Sequence, residues 1–280
     1  MAKKLIPFAI AYDFDGTLAP GNMQEYDFVP AIGMTKKAFW QEVGELAKKH
    51  DADSILMYMM HMLDKAAAAK LPVRKKDFID FGRSVSLFEG VESWFDRITG
   101  YGKERGLKVE HYIISSGIRE MIAGTPLAKK FSFIYASSFV YDHNGVAMWP
   151  ALAVNYTTKT QFLFRINKGV LNVYDNSRIN DFVQNQDRPV PFDNMVFIGD
   201  GETDIPCFRL VKEQGGHSIA VYKPSTKGAK GKAEKLVQDG RVNYIAPANY
   251  CEDGEIDLFM KRVIDKVAAD GALKYLGKKG

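Results

Sequence analysis

Residues 5–12, LIPFAIAY, form an unbroken apolar run that stops at Asp13, the pattern of a strand buried on both faces. Residues 18–34 carry Pro20, Gly21, Asn22, Pro30 and Gly33 and read as loop. Helical spacing follows over 35–50, over 53–70 and, just after Pro72, over about 74–86. A fourth helix is predicted at 91–105, where Val91, Trp94, Phe95 and Ile98 share one face. Strand character returns at 109–114 and ends at Ser115-Ser116-Gly117. Residues 132–149 read as short extended pieces around a turn at Asp142–Gly145. The rest alternates: helix 158–168, strand 194–198, helix 204–214, strand 218–222, helix 228–238, strand 242–245 and helix 255–269.

That alternation predicts an α/β fold, a Rossmann-like doubly wound parallel sheet with helices on both faces. The helical stretch after the first strand is too long for a plain loop. It is expected to form an all-helical cap domain of residues 19–88 inserted into a core of 1–18 and 89–280, with hinges at 19–34 and about 79–90.

Composition narrows the picture without redirecting it. The chain has 280 residues, 46% hydrophobic and 26% charged, which excludes disordered and fibrous classes. Its net charge of +4 owes much to Lys3, Lys4, Lys274, Lys278 and Lys279 and reads as solvated surface, so no nucleic-acid partner is expected. The two cysteines, Cys207 and Cys251, form no metal-binding spacing and suit a reducing compartment. The N-terminal MAKKLIPFAIAYDFDG begins like a signal segment, but Pro7 interrupts its short apolar run, which meets Asp13 and Asp15. A buried first strand, a cytoplasmic location and no membrane partner are the expectations.

Three clusters of acidic or hydroxyl-bearing residues end three predicted strands: Asp13-Phe14-Asp15-Gly16-Thr17, Ser115-Ser116-Gly117 and Asp200-Gly201-Glu202-Thr203-Asp204. Ligands of open parallel sheets sit at the carboxyl ends of the strands, so the clusters should converge on one site. Two or three carboxylates with backbone carbonyls make a hard oxygen site suited to Mg²⁺. A cation there lets a carboxylate nucleophile approach an anionic phosphate ester. A second carboxylate, two residues on, can protonate the leaving alkoxide and then activate water. The hydroxyl and amides of Ser115, Ser116 and Gly117 can hold phosphate oxygens, and a lysine would stabilise the developing charge.

These residues resemble the haloacid dehalogenase-like hydrolase superfamily, and within it the phosphoserine-phosphatase-like members with a helical cap. The likeness rests on Asp13-x-Asp15-x-Thr17 after an apolar strand, Ser115 after another, and Gly199-Asp200-x-x-x-Asp204 after a third. It implies nucleophile Asp13, acid/base Asp15 and phosphate-binding Ser115. It also implies Mg²⁺ held by Asp13, Asp200 and the Asp15 carbonyl, with Asp204 supporting or joining that shell. The family's lysine corresponds to Lys159, which opens a helical pattern, or to Lys168. Thr17 should brace its loop and belongs to the phosphate-binding set.

Asp15 favours phosphoryl chemistry over dehalogenation, because a halide leaving group needs no proton; a phosphomutase or phosphotransferase shares the same motifs, and a non-catalytic module that binds a phospho-ligand is the other alternative. The implied partner is a small-molecule phosphate ester, the protein being a monomer or homodimer. Substrate contacts are expected from residues 22–27 and from Arg83. Phosphoserine phosphatases carry a glutamate shortly after the first motif; Asn22-Met23-Gln24-Glu25 stands here, with Glu25 displaced. Arg119 and Glu120 are expected to be solvated, the methionines of 57–62 to be helix core, and His61 not to be a ligand.

Overall fold

In the computed structural model, which describes residues 5–277, the first apolar run forms strand β1 (Ile6–Tyr12). Lys3, Lys4, Lys278 and Lys279 lie outside the described residues. A short helix α1 (Phe28–Ala31) interrupts the predicted loop, followed by α2 (Lys36–His50), α3 (Ser54–Ala68) and α4 (Lys75–Gly82). Then come α5 (Val91–Glu104), β2 (Leu107–Ile118), α6 (Arg119–Gly124), β3 (Phe133–Tyr141) and β4 (Ala147–Leu152). The remainder comprises α7 (Tyr156–Lys168), β5 (Met195–Gly199), α8 (Ile205–Glu213), β6 (His217–Tyr222), α9 (Ala229–Gln238), β7 (Tyr244–Pro247) and α10 (Glu255–Gly277).

Seven strands form one sheet in the order β4-β3-β2-β1-β5-β6-β7. All neighbours are parallel except β3 and β4, an antiparallel hairpin at one edge. The order reverses at β1, which pairs with both β2 and β5. The doubly wound α/β fold expected from the alternation is therefore present. β1 is central because its residues Phe8–Tyr12 are fully buried, with no polar face to offer solvent. One face packs Phe8, Ile10 and Tyr12 against Trp94, Phe95 and Ile98 of α5. The other packs Ala9 and Ala11 with Phe162 and Ile166 of α7 and Phe208 of α8.

The buried polar groups under β1 are satisfied in a chain. Trp94 Nε1 donates to the Tyr12 hydroxyl, which lies 2.9 Å from His111 Nδ1, and His111 Nε2 lies 2.9 Å from Thr99 Oγ1. Burial pushes the His111 pKa down to about 3, so the ring stays neutral.

Several boundaries differ from the sequence reading. The third helix stops at Gly82, four residues before the predicted end, β2 runs four residues past its predicted end, and α6 was not predicted. α4 and α6 approach backbone to backbone. A Cβ on Gly82 would lie 1.9 Å from the Met121 carbonyl oxygen, and one on Gly124 would lie 1.9 Å from that of Ile79. The β3–β4 turn also touches the helical segment, through Lys75 N to Gly145 O and Ala147 N to Val73 O, each 2.9 Å. Both cysteines are free thiols, Cys207 buried and Cys251 half-buried. Among the described residues no helix is long and apolar enough to cross a membrane.

The glycine contacts give opposite expectations. Gly82→Ala or Gly124→Ala overpacks the α4–α6 contact and lowers stability by about 1–3 kcal/mol. Gly100→Ala, in α5 with nothing within 4 Å of its added methyl, raises stability by roughly 0.5–1 kcal/mol. Urea midpoints of the three variants check both signs.

Candidate active site

β1 and β5 are neighbours, so the loops leaving them meet at the carboxyl edge of the sheet. The Asp13 amide still bonds to the Ile198 carbonyl of β5 at 2.9 Å, and the chain then turns away. Phe14 O accepts from the amides of Thr17, Leu18 and Ala19, and Gly16 N donates to Ala19 O at 2.7 Å. Gly16 has φ +74°, and a Cβ on it would lie 2.0 Å from Asp200 Oδ2. Only glycine lets the two acidic loops close on each other.

Three carboxylates, of Asp13, Asp200 and Asp204, each present one oxygen with all three within 4.8 Å of one another. Asp13 Oδ1 accepts from Phe14 N at 2.7 Å and Oδ2 from Lys159 Nζ at 2.9 Å. Lys159, from the first turn of α7, is completely buried. Its ammonium also donates to Asp204 Oδ1 at 2.7 Å and Thr203 Oγ1 at 3.4 Å. Asp204 Oδ2 accepts the amides of Asp200 and Gly201, both at 3.1 Å, so its two oxygens are already engaged. Asp200 faces the opening, with Thr17 Oγ1 donating to its Oδ1 at 3.4 Å.

Although Asp200 meets solvent at the cleft, the chain packed around it desolvates its carboxyl and raises it well above the usual range, and the neighbouring Asp204 and Asp13 raise it further. Asp204 is pushed up to about 6 by burial, opposed by Lys159. Burial would lower the Lys159 pKa, but Asp13 and Asp204 outweigh it and hold the ammonium charged. Carboxylates crowded this closely, with a single ammonium among them, suit a divalent cation.

Asp15 lines the same cleft outside the three-carboxylate cluster. Its Oδ1 accepts from Met23 N at 2.9 Å, and a Cβ on Gly117 would lie 2.9 Å from its Oδ2. Burial, then the charge of Asp13, holds the Asp15 carboxyl well above its ordinary pKa and so favours the protonated form.

Asp13, Asp15, Ser115, Ser116, Gly117 and Asp200 line one cleft of about 1400 Å³. Ser115 Oγ accepts from Gly117 N at 3.1 Å, within the last residues of β2, where the pairing with β3 shifts register. The helical segment forms the opposite wall. Tyr58 of α3 donates to the Ser116 carbonyl at 2.5 Å, and Trp40 and Ile55 line the cleft beside it.

The three predicted strand-end clusters thus meet at one place. Of the two lysines, Lys159 reaches it, whereas Lys168 Nζ bonds the carbonyls of Ile179 and Asp181 elsewhere. Thr17 is fully buried against Asp200 and does not line the cleft, because the turn at Gly16 points it inward. Glu120 is 2% exposed rather than solvated, since α6 packs it inside, while Arg119 is exposed and pairs with it at 3.2 Å. Arg83 is exposed, pairs with Asp80 and is absent from the cleft lining.

Glu25 binds Asn22 Nδ2 and Trp40 Nε1, each at 2.8 Å, leaving Gln24 to line the cleft. Asn22 and Gln24, within the stretch from which substrate contacts were expected, line the cleft. Sequence reasoning missed Tyr58, which sits in a run of apolar residues. His61 is buried beside Glu42 and distant from the acidic cluster's lining residues.

A model of the haloacid dehalogenase-like hydrolase family matches residues 10–209. An uncharacterized protein of Borreliella burgdorferi is 30% identical over 269 residues, covering 86% of this chain and 91% of the relative. Among solved structures, a HAD family hydrolase from Salmonella enterica serovar Typhi superposes with a TM-score of 0.57 at 16% identity, covering 92% of this chain and 72% of the other. A phosphoserine phosphatase, described as a phospho-aspartyl intermediate analogue, superposes with a TM-score of 0.52 at 14% identity, covering 92% and 99%. At such identities the likeness to the two structures is one of fold.

Lys159→Met keeps the bulk and deletes the charge, leaving Asp13 and Asp204 uncompensated. In EDTA at about pH 8 the urea midpoint should report a loss of about 3–5 kcal/mol. Without the ammonium the folded-state Asp204 pKa rises further above its unfolded value, so the penalty grows as pH rises and shrinks toward about pH 5.

Proposed function

The chain belongs to the haloacid dehalogenase-like hydrolase family, and from that premise we propose that it is a Mg²⁺-dependent phosphatase of small-molecule phosphate monoesters that works through an aspartyl-phosphate on Asp13. One observation carries the reading: the Asp13 carboxylate belongs to a cluster able to hold a cation and shares its cleft with a second, protonation-prone carboxyl, Asp15.

Asp13 and Asp200 would hold Mg²⁺ together with the Asp15 carbonyl. Bound there, the cation supplies charge neutralisation that lets an anionic nucleophile meet an anionic ester. Asp204, with both oxygens engaged by Lys159 and the amides of Asp200 and Gly201, positions the lysine and the loop.

Asp13 attacks phosphorus, the ester P–O bond breaks, and Asp15 gives its proton to the leaving alkoxide. Lys159 stabilises the charge on the transferring group and on Asp13. Asp15, now a carboxylate, takes a proton from water, whose oxygen attacks phosphorus; phosphate departs and the Asp13 carboxylate is restored. The Ser115 hydroxyl and the Ser116 amide hold the phosphate oxygens, and the Gly117 amide, which donates to Ser115 Oγ, orients that hydroxyl. Residues 19–88 act as a cap whose wall, carrying Tyr58 and Trp40, limits water during the first step.

The test is phosphate release from p-nitrophenyl phosphate and a panel of phosphoamino acids, sugar phosphates and nucleotides. Turnover should require Mg²⁺, stop in EDTA and vanish in Asp13→Asn. Asp15→Asn should lower kcat by about 10²–10⁴-fold. Full turnover in EDTA, or in Asp13→Asn, contradicts the proposal.

A further inference from the structure

The cleft is larger than its chemistry requires. Its volume of about 1400 Å³ exceeds the roughly 300–1,000 Å³ typical of small-molecule pockets. Asp13, Asp15 and Ser115 line it at β1 and β2, and Glu202, Thr203 and Pro206 line it after β5. Two strands away from β1, the segment that follows β6, then α9 and the residues just after it, add Lys223, Lys227, Lys232, Lys235 and Arg241 to the lining.

From Lys223 to Arg241 the sequence carries six cations against two acids. Their partners divide by position. Lys230, which does not line the cleft, pairs with Glu234 at 3.8 Å, as a solvated helical face commonly does. Lys223, Lys227, Lys232 and Lys235 all line it, and among the described residues no carboxylate lies within ion-pair distance of any of them. Arg241 has only Asp239, at 3.8 Å. Unneutralised cations along a concave wall focus positive potential into it. The scissile phosphate does not use this wall, because Lys159 already serves the reacting end.

We propose that this basic lobe binds a second anionic group of the substrate, a phosphate or a carboxylate carried at the end remote from the scissile phosphate. The inference rests on the phosphatase reading and names its substrate class: elongated phosphate monoesters with an anionic tail. A second anion would gain charge-assisted contacts to lysines that a neutral tail leaves merely hydrated.

Matched esters test this. Alkyl phosphates of increasing chain length are compared with the corresponding α,ω-bisphosphates and ω-carboxyalkyl phosphates, and p-nitrophenyl phosphate serves as the tail-free reference. At the chain length that spans the cleft, an anionic tail should lower KM roughly tenfold relative to the neutral tail, and added salt should erode the difference. The bisphosphate and carboxylate arms show which anion is preferred. The triple variant Lys227→Glu/Lys232→Glu/Lys235→Glu should abolish the preference while leaving kcat on p-nitrophenyl phosphate unchanged, which also shows that it folds. Equal KM for neutral and anionic tails, or a preference that survives the charge reversal, overturns the inference while the phosphatase reading stands. No Mg²⁺-dependent turnover of any of these esters overturns both.

Discussion

The Lys159 ammonium lies buried between Asp13 Oδ2 and Asp204 Oδ1, at 2.9 and 2.7 Å, and ties together three stretches of chain far apart in sequence. Asp13 ends β1, Asp204 closes the turn after β5, and Lys159 comes from α7. Without a cation among them these carboxylates would repel one another. Burial pushes Asp204 up to about 6, and the ammonium opposes that shift. The lysine in turn depends on α7 being seated correctly. Asn155 N donates to Thr158 Oγ1 at 2.7 Å at the start of that helix, and Phe162 and Ile166 anchor it beneath the sheet.

The sheet supplies the rest of the placement. Reversal of strand order at β1 opens the crevice between β1, β2 and β5, so three loops converge without any being long. The helical segment completes the site by direct contact rather than by mere cover. Tyr58 holds the Ser116 carbonyl, and the Met23 amide holds Asp15. The first contact ties the helical segment to the Ser115–Gly117 stretch and the second ties the chain after the first acidic motif back to that motif, so the geometry of the Asp15 carboxyl and the position of the helices are coupled.

Much of this was legible in the sequence. Apolar runs ending in Asp13, Ser115 and Asp200 announce strands and the edge at which they meet, because burial on both faces leaves a continuous apolar signature. Lys159 was not distinguishable from Lys168 by spacing, since both sit on one helix and only its docking decides which ammonium points to the acids. α6 escaped notice because six residues give no helical period. Glu120, expected in solvent, is buried by a contact with elements distant in sequence, and Arg83, expected at the substrate, is exposed beside Asp80 and does not line the cleft. The cationic wall after β6 read as solvated surface because net charge does not reveal which lysines share a concavity.

The central claim is that Asp13 itself receives the phosphoryl group, and chemical trapping tests it most directly. The enzyme is mixed with Mg²⁺ and p-nitrophenyl phosphate, quenched in acid during turnover and reduced with borohydride, which converts an acyl phosphate to an alcohol; the peptides are then sequenced by mass spectrometry. The account predicts homoserine at position 13 and nowhere else, dependent on both Mg²⁺ and substrate. Turnover accompanied by an unmodified Asp13, or by label on another side chain, would contradict it.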